Sequence, residues 1–292
     1  MAQFELSDGR ELQYLDNAAT SGSAVVFHHG TPGHSSMWNS WLAQLANDGI
    51  KAIAISRPGY GTSSRQSNRE VFSITSDISE LLNSFSVKKF VSIGWSGGGP
   101  HSLATTFEPR NVGAITLAGV GAYGVSDLNF LEGMGQENHD EFGAALSGES
   151  SVRNWLIENA SAMQKVSGDE IREAFGGLIG VADKAVLEGA YAEEMAASMR
   201  AGIEESFDGW IDDDIAFIKH WGFDLAKINK PVHLWQGDDD FMVPHAHSKW
   251  LEKHIPNSQL RFIPGEGHIS LGINYQKEII KQAESLLDLP SA

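Results

Sequence analysis

Four short stretches of the chain carry residue types that together could perform nucleophilic acyl transfer. The first is Gly94-Trp95-Ser96-Gly97-Gly98, a serine with a glycine two positions to either side. A serine on so sharp a turn adopts strained dihedrals, and its neighbours must be small for the backbone to close around it. The plainer alternative is a glycine-rich turn whose serine only caps a helix. The second stretch is His28-His29-Gly30-Thr31-Pro32-Gly33. Acyl transfer needs N–H donors aimed at the oxyanion, one following the nucleophile and one from the loop after an earlier strand. That assigns the Gly97 and Thr31 amides. Gly30 permits a close backbone approach, and Pro32 removes a competing donor while stiffening the loop. Thr-Pro-Gly is also ordinary turn chemistry; its position after a strand favours the functional reading.

The third stretch, Gly237-Asp238-Asp239-Asp240-Phe241-Met242-Val243-Pro244, offers three carboxylates. Any one of them could hold an imidazole in its working tautomer and stabilise its charged form. The fourth, Gly265-Glu266-Gly267-His268, offers the base. Eleven histidines supply competitors. His245 and His247, two positions apart at the start of a helix, fall on different faces and do not make a metal pair. His101 and His254 lie inside helical patterns and read as packing or surface residues.

These residues act together only if separate elements converge. Apolar, strand-like runs at 24–27, 52–55, 90–93, 114–117, 231–235 and 259–263 alternate with helical patterns such as 37–47, closed by Gly49, and 70–85. Such alternation predicts an α/β fold, a mostly parallel, doubly wound sheet with helices on both faces. The segments 4–6 and 11–14 read as an opening hairpin around Asp8-Gly9. Thr31, Ser96, Asp240 and His268 each follow one of the runs. The rhythm breaks between 125 and 222, where only helix-like segments such as 151–165 and 184–200 occur. An inserted helical cap explains this better than a second domain at the end. The expected division is a core of 1–124 and 223–292 and a cap of 125–222.

The order Ser96, Asp240, His268, each after a strand, resembles the α/β-hydrolase superfamily, whose triad runs nucleophile, acid, histidine. His29-Gly30-Thr31-Pro32-Gly33, Arg57-Pro58-Gly59-Tyr60-Gly61-Thr62-Ser63 and Gly267-His268 are similar to the family's pattern. Its spacing of Gly, two residues, Asp, two residues, Val-Pro falls on Gly237, Asp240 and Val243-Pro244, and so selects Asp240 over its neighbours. Ser56 departs from the aspartate that relatives often carry before Arg-Pro-Gly, at a structural position outside the triad. Ser96 argues against haloalkane dehalogenases and epoxide hydrolases, which use an aspartate nucleophile. The elbow sequence also departs from that of proline iminopeptidases. The stretch Trp221-Gly222-Phe223-Asp224 through Pro231-Val232 resembles the cap exit of a bacterial group of small-molecule hydrolases.

Charge narrows the partners. The formal net charge is -17, and residues 125–222 hold 20 Asp plus Glu against six Lys plus Arg. Nucleic-acid binding is carried by clustered Lys and Arg, so it is not expected. An acidic, helix-rich insertion keeps a protein soluble, and a negative lid also discourages anionic substrates. No run of apolar residues is long enough for a membrane span, and the amino terminus lacks a secretory pattern. With no cysteine, disulfides and thiol chemistry are excluded, and a cytoplasmic location is expected.

The expectation is therefore a carboxylesterase-like serine hydrolase acting on a small, neutral carboxylic ester, without metal or organic cofactor. Cleavage of an amide or a C–C bond on the same triad is the nearest alternative, and a non-catalytic receptor on the same scaffold a more distant one. Trp95, Met134, Trp155, Phe175 and Trp210 are the candidate substrate-lining residues, although for the last four the plainer reading is that each is part of the cap's own core. The sequence carries no signal of oligomeric state.

Overall fold

A computed structural model of the chain describes residues 1–288. Eight strands make one sheet: β1 (Ala2–Glu5), β2 (Glu11–Asp16), β3 (Ser23–His28), β4 (Lys51–Ile55), β5 (Lys89–Trp95), β6 (Asn111–Leu117), β7 (Val232–Gly237) and β8 (Ser258–Ile263). Their spatial order is β1-β2-β4-β3-β5-β6-β7-β8. The β1–β2 and β2–β4 pairs are antiparallel, and all later pairs are parallel. The expected hairpin turns at Gly9, where φ is 85°.

The central strands are apolar on both faces because both faces are covered. Successive side chains point to opposite sides of a strand, and the two cores sort accordingly. Val26, Ile53, Phe90, Ala114 and Leu234 pack in one core. Val25, Phe27, Ala54, Ile93 and Trp235 pack in the other. The first core meets α2 (Ile74–Ser84), α3 (Gly98–Ala104) and α10 (Ala246–His254), and the second meets α1 (Asn39–Asn47) and α12 (Gln276–Leu287). A short α11 (Ser270–Asn274) follows the β8 loop.

Between β6 and β7 the chain leaves the sheet and forms α4 (Gln136–Leu146), α5 (Glu149–Asn159), α6 (Ile171–Ala174), α7 (Val181–Val186), α8 (Gly189–Ile203) and α9 (Asp208–Phe217). Among the described residues this insert contains no strand, only one isolated bridge from Ile179 to Asp240. It has a small core of its own, in which Val152, Leu156, Ile203 and Ile211 pack with Tyr60 from below. Two sequence expectations need correction here. The helical pattern at 184–200 is two helices, because Glu188 is extended and Gly189 takes a φ of 55°, which an α-helix cannot accommodate. The pattern at 151–165 ends its α-helix at Asn159 and continues as a 3-10 turn, Ser161–Lys165.

Because β3, β5, β7 and β8 run parallel, the loops that follow them open on one edge of the sheet, where open α/β sheets place ligand crevices. Thr31, Ser96, Asp240 and His268 occupy those four loops.

Candidate active site

Ser96 follows β5 with a φ of 55°, the left-handed region that a non-glycine residue rarely occupies. The strain is locked in from both sides. The Ser96 N–H donates to Leu117 O at 2.9 Å, and Ser96 O accepts from Gly99 N at 2.9 Å. A Cβ on Gly94 would lie 2.1 Å from Gly98 O, and one on Gly98 would lie 2.3 Å from His28 O. Only glycine lets the turn close at those two positions. Trp95 beside it is buried, and its indole Nε1 donates to His268 O at 2.9 Å.

The three aspartates after β7 have separate fates. Asp238 is exposed and accepts from Gly265 N at 2.6 Å. Asp239 accepts from Ala182 N at 2.9 Å. Asp240 is buried and meets His268, with Asp240 Oδ2 2.9 Å from His268 Nδ1. An ionised carboxylate only accepts, so Nδ1 is the donor and Nε2 carries the free lone pair. Met242 N and Val243 N donate to Asp240 Oδ1 at 3.0 and 2.8 Å, and Gln236 Nε2 donates to Oδ2 at 3.0 Å. His268 is fully buried, and its Nε2 has no partner among the described residues.

The loop after β3 lies against the serine turn: a Cβ on Gly97 would come within 2.3 Å of Thr31 Oγ1. Neither the Thr31 nor the Gly97 N–H donates to a protein acceptor among the described residues. Behind the loop lies a buried ionic cluster. Arg57 donates to the carbonyls of His29 and Gly30 and pairs with Asp213 of α9 at 2.6 Å. Asp213 also accepts from Thr31 Oγ1 at 2.7 Å and from the Tyr60 hydroxyl at 2.8 Å, and it pairs with Arg69 at 2.7 Å. Burial alone would raise the Asp213 carboxyl, but Arg57 and Arg69 outweigh it and hold it well below the usual range. His29 has the opposite fate. Burial and the Arg57 charge push it well down, so it stays neutral, accepting from Arg57 N through Nε2.

A second carboxylate from the insert holds the histidine loop. Asp183 on α7 accepts from the backbone N–H groups of His268, Ile269 and Ser270 at 3.0, 2.8 and 2.8 Å. Burial raises the Asp183 carboxyl, a rise only partly offset by those bonds and by the nearby imidazole. Neither Asp183 nor Asp213 stands out in the sequence, because Asp213 sits in a run of three aspartates and Asp183 is a single acid in a short helical stretch.

Ser96, His268, Thr31 and Gly97 line one cavity of about 300 Å³ beneath the insert. Trp95, Met134, Trp155, Phe175 and Trp210 line it as well. Four of the five are also buried in the surrounding cores, so lining and packing are not alternatives here. Two lining groups escaped the sequence reading. Glu141 accepts from Trp210 Nε1 at 2.6 Å. Burial pushes its carboxyl up to about 7, and burial beside Glu141 pushes Asp214 well above the ordinary range.

The competing histidines have structural partners. His247 accepts from Gly121 N through Nδ1, and its Nε2 is 2.9 Å from Phe130 O. His101 Nδ1 lies 2.9 Å from Gly97 O, and burial followed by Arg57 lowers this histidine to about 3. Among the described residues no three His, Asp or Glu side chains are grouped to hold a metal, and no helix is long and apolar enough to cross a membrane.

Known proteins resemble the chain across this whole arrangement. A non-heme haloperoxidase of Rhodococcus erythropolis is 25% identical over 273 residues, covering 92% of this chain and 93% of that protein. A bifunctional esterase/perhydrolase of Acinetobacter calcoaceticus is 24% identical over 275 residues, covering 92% and 93%. The crystal structure of a bromoperoxidase from Bacillus anthracis superposes with a TM-score of 0.70 at 25% identity, covering 96% of each chain. The alpha/beta hydrolase family pattern matches residues 25–280, a span running from β3 into α12 and enclosing both the serine turn and the histidine loop, and the chain belongs to that family.

Proposed function

We propose that the protein is a serine hydrolase that cleaves a small-molecule carboxylic ester through an acyl-enzyme, with residues 125–222 acting as a cap over the site. One observation carries this reading. The bond between His268 Nδ1 and Asp240 Oδ2 leaves the basic Nε2 unclaimed in the cavity that Ser96 also lines.

In this mechanism His268 Nε2 takes the Ser96 Oγ proton as Oγ attacks the ester carbonyl carbon. The Gly97 and Thr31 amides stabilise the oxyanion. The intermediate collapses, the imidazolium protonates the leaving alcohol, and the acyl group stays on Ser96. His268 then deprotonates a water, whose attack releases the acid and regenerates the serine. Asp240 fixes the tautomer and stabilises the imidazolium without taking the proton. A cavity of about 300 Å³ is at the small end of the range for ligand pockets, which favours a compact ester.

The names of the relatives favour a second use of the same acyl-enzyme. A perhydrolase and a haloperoxidase stand among them, so hydrogen peroxide in place of water would release a peracid. Amide and C–C substrates call on the same oxyanion donors, and a substrate panel separates them from esters.

The test is Ser96→Ala. Turnover of p-nitrophenyl butyrate is expected to vanish while the thermal unfolding profile is retained, and a fluorophosphonate is expected to label only the wild-type protein. Undiminished turnover in the variant would remove Ser96 from the mechanism. Absence of labelling would leave a receptor on a hydrolase scaffold.

A further inference from the structure

Four acidic side chains, Glu137, Asp140, Glu141 and Asp214, line the cavity above Ser96, and no lysine or arginine does. Glu137, Asp140 and Glu141 stand at i, i+3 and i+4 on α4, so they share one helix face and repel one another there. Glu137 and Asp140 lie towards solvent, where they accept from Gly177 N at 3.2 Å and from Gln136 Nε2 at 2.8 Å. Glu141 and Asp214 lie deeper, at 9% and 1% exposure.

Asp214 is the anomaly. No N–H or O–H of the protein among the described residues reaches either of its carboxyl oxygens. The group beside it is the Glu141 carboxyl, and burial pushes both carboxyls upward. Burying a carboxyl without a donor is costly, and no arginine hydrogen-bonds to it. Arg69 is committed to Asp213 at 2.7 Å and to Gly209 O at 3.2 Å. The neighbouring walls are the aromatic rings of Phe142, Trp155, Trp210 and Phe217, whose faces attract a cation. Around them the insert carries 20 acidic against six basic residues, a field that concentrates cations at the mouth and repels anions.

We propose that the Glu141–Asp214 end of the cavity is a subsite for a protonated amine, so that the preferred substrate is an ester carrying an ammonium group. The neutral ester expected from the sequence gives way to a cationic one. The ammonium donates to the two carboxyls in their ionised form and packs against the aromatic faces. The kinetic consequence rests on the proposed ester hydrolysis at Ser96; the binding consequence does not.

The experiment has two arms. In the first, wild type, Glu141→Gln and Asp214→Asn are assayed on p-nitrophenyl 6-ammoniohexanoate and its methyl isostere p-nitrophenyl heptanoate. Wild type is expected to favour the ammonium ester in kcat/KM by about tenfold or more, and either variant to reduce that ratio by about tenfold. The Asp214 variant keeps the test open if Glu141→Gln does not fold. An unchanged ratio, or a wild-type preference for the heptanoate, overturns the subsite. In the second arm, hexylammonium and 1-hexanol are titrated calorimetrically into wild type and both variants. Tighter binding of hexylammonium that is lost in a variant supports the subsite even if neither ester is turned over, in which case only the esterase reading falls. Equal binding of the two ligands, alongside Ser96-dependent hydrolysis of the heptanoate, removes the subsite and leaves the esterase standing.

Discussion

The Asp183 carboxylate accepts the backbone N–H of His268 at 3.0 Å, although 85 residues separate the two. A carboxylate carried by the insert thus holds the loop that carries the proposed base. Asp213 does the same for Thr31 from α9. The proposed cap therefore does more than cover the cavity, since its own carboxylates brace two of the loops that would do the chemistry.

For Asp183→Asn the expectation is a fall in kcat of about tenfold with little change in KM, because the base is misplaced more than the substrate. Asp183 also lies close enough to the imidazole to feel its charge. An unchanged kcat would deny Asp183 any part in placing His268.

The three consecutive aspartates are separable by rate. Asp240→Asn is expected to lower kcat by about 10³ to 10⁴-fold, because an amide beside Nδ1 favours the wrong tautomer. Asp238→Asn and Asp239→Asn change only the acceptors for Gly265 N and Ala182 N, and kcat is expected to stay within roughly threefold of wild type. Steady-state kinetics on one ester decides it. Equal losses at all three positions would deny Asp240 its special place.

Asp213→Asn leaves Arg57 and Arg69 buried with one anion fewer, and breaking such a pair costs about 3 to 5 kcal/mol. Thermal unfolding is expected roughly 10 °C lower. Activity measured below that transition should fall as well, since Thr31 loses its anchor. A variant as stable as wild type would mean that the arginines find other partners.

Gly98→Ala probes the turn. The new methyl would sit 2.3 Å from His28 O and 2.6 Å from His29 O, so the loop that follows β3 must shift. A displacement approaching 1 Å costs about 100-fold in rate. The kcat of the folded variant is the measurement, and near-normal turnover would show that the loop has slack.

Stability should fall as pH rises through the Glu141 window. Its folded value of about 7 lies above the ordinary 4.5, so the folded state binds more protons than the unfolded state between those limits. The contribution is fully present below 4.5 and is lost by about pH 7, and its size is on the order of 1 to 3 kcal/mol. Asp213, held low, works in the opposite sense and only in acid. Urea unfolding of wild type and Glu141→Gln at pH 5 and pH 7.5 tests the assignment. The wild-type difference should flatten in the variant, and parallel profiles would refute it.

Much of the architecture was legible because its signals are local. Apolar runs with β-branched residues marked the strands, and the loss of that pattern was read as an insertion between two of them. Gly94 and Gly98 announced a tight turn at Ser96, and the structure places that serine at a φ of 55°. The helix break at Gly189 was missed because the apolar spacing on either side continues in phase. Glu141 and Asp214 were missed because an acid buried against a cavity has the same sequence signature as one facing solvent.

The sequence by itself determined the alternation of strands and helices and the order of the serine, aspartate and histidine loops. Both are written in short-range periodicity and turn chemistry. On residue type alone it left three aspartates equivalent, until family spacing pointed to Asp240. Tertiary structure decided which carboxylate meets His268, that Asp183 and Asp213 reach across from the insert, and that two acids face the cavity without a basic partner. Those outcomes depend on how the insert packs onto the sheet, and bonds such as Thr31 to Asp213 join residues 182 positions apart. Partners that distant are set by the packing of whole elements, which the local pattern around either residue does not encode.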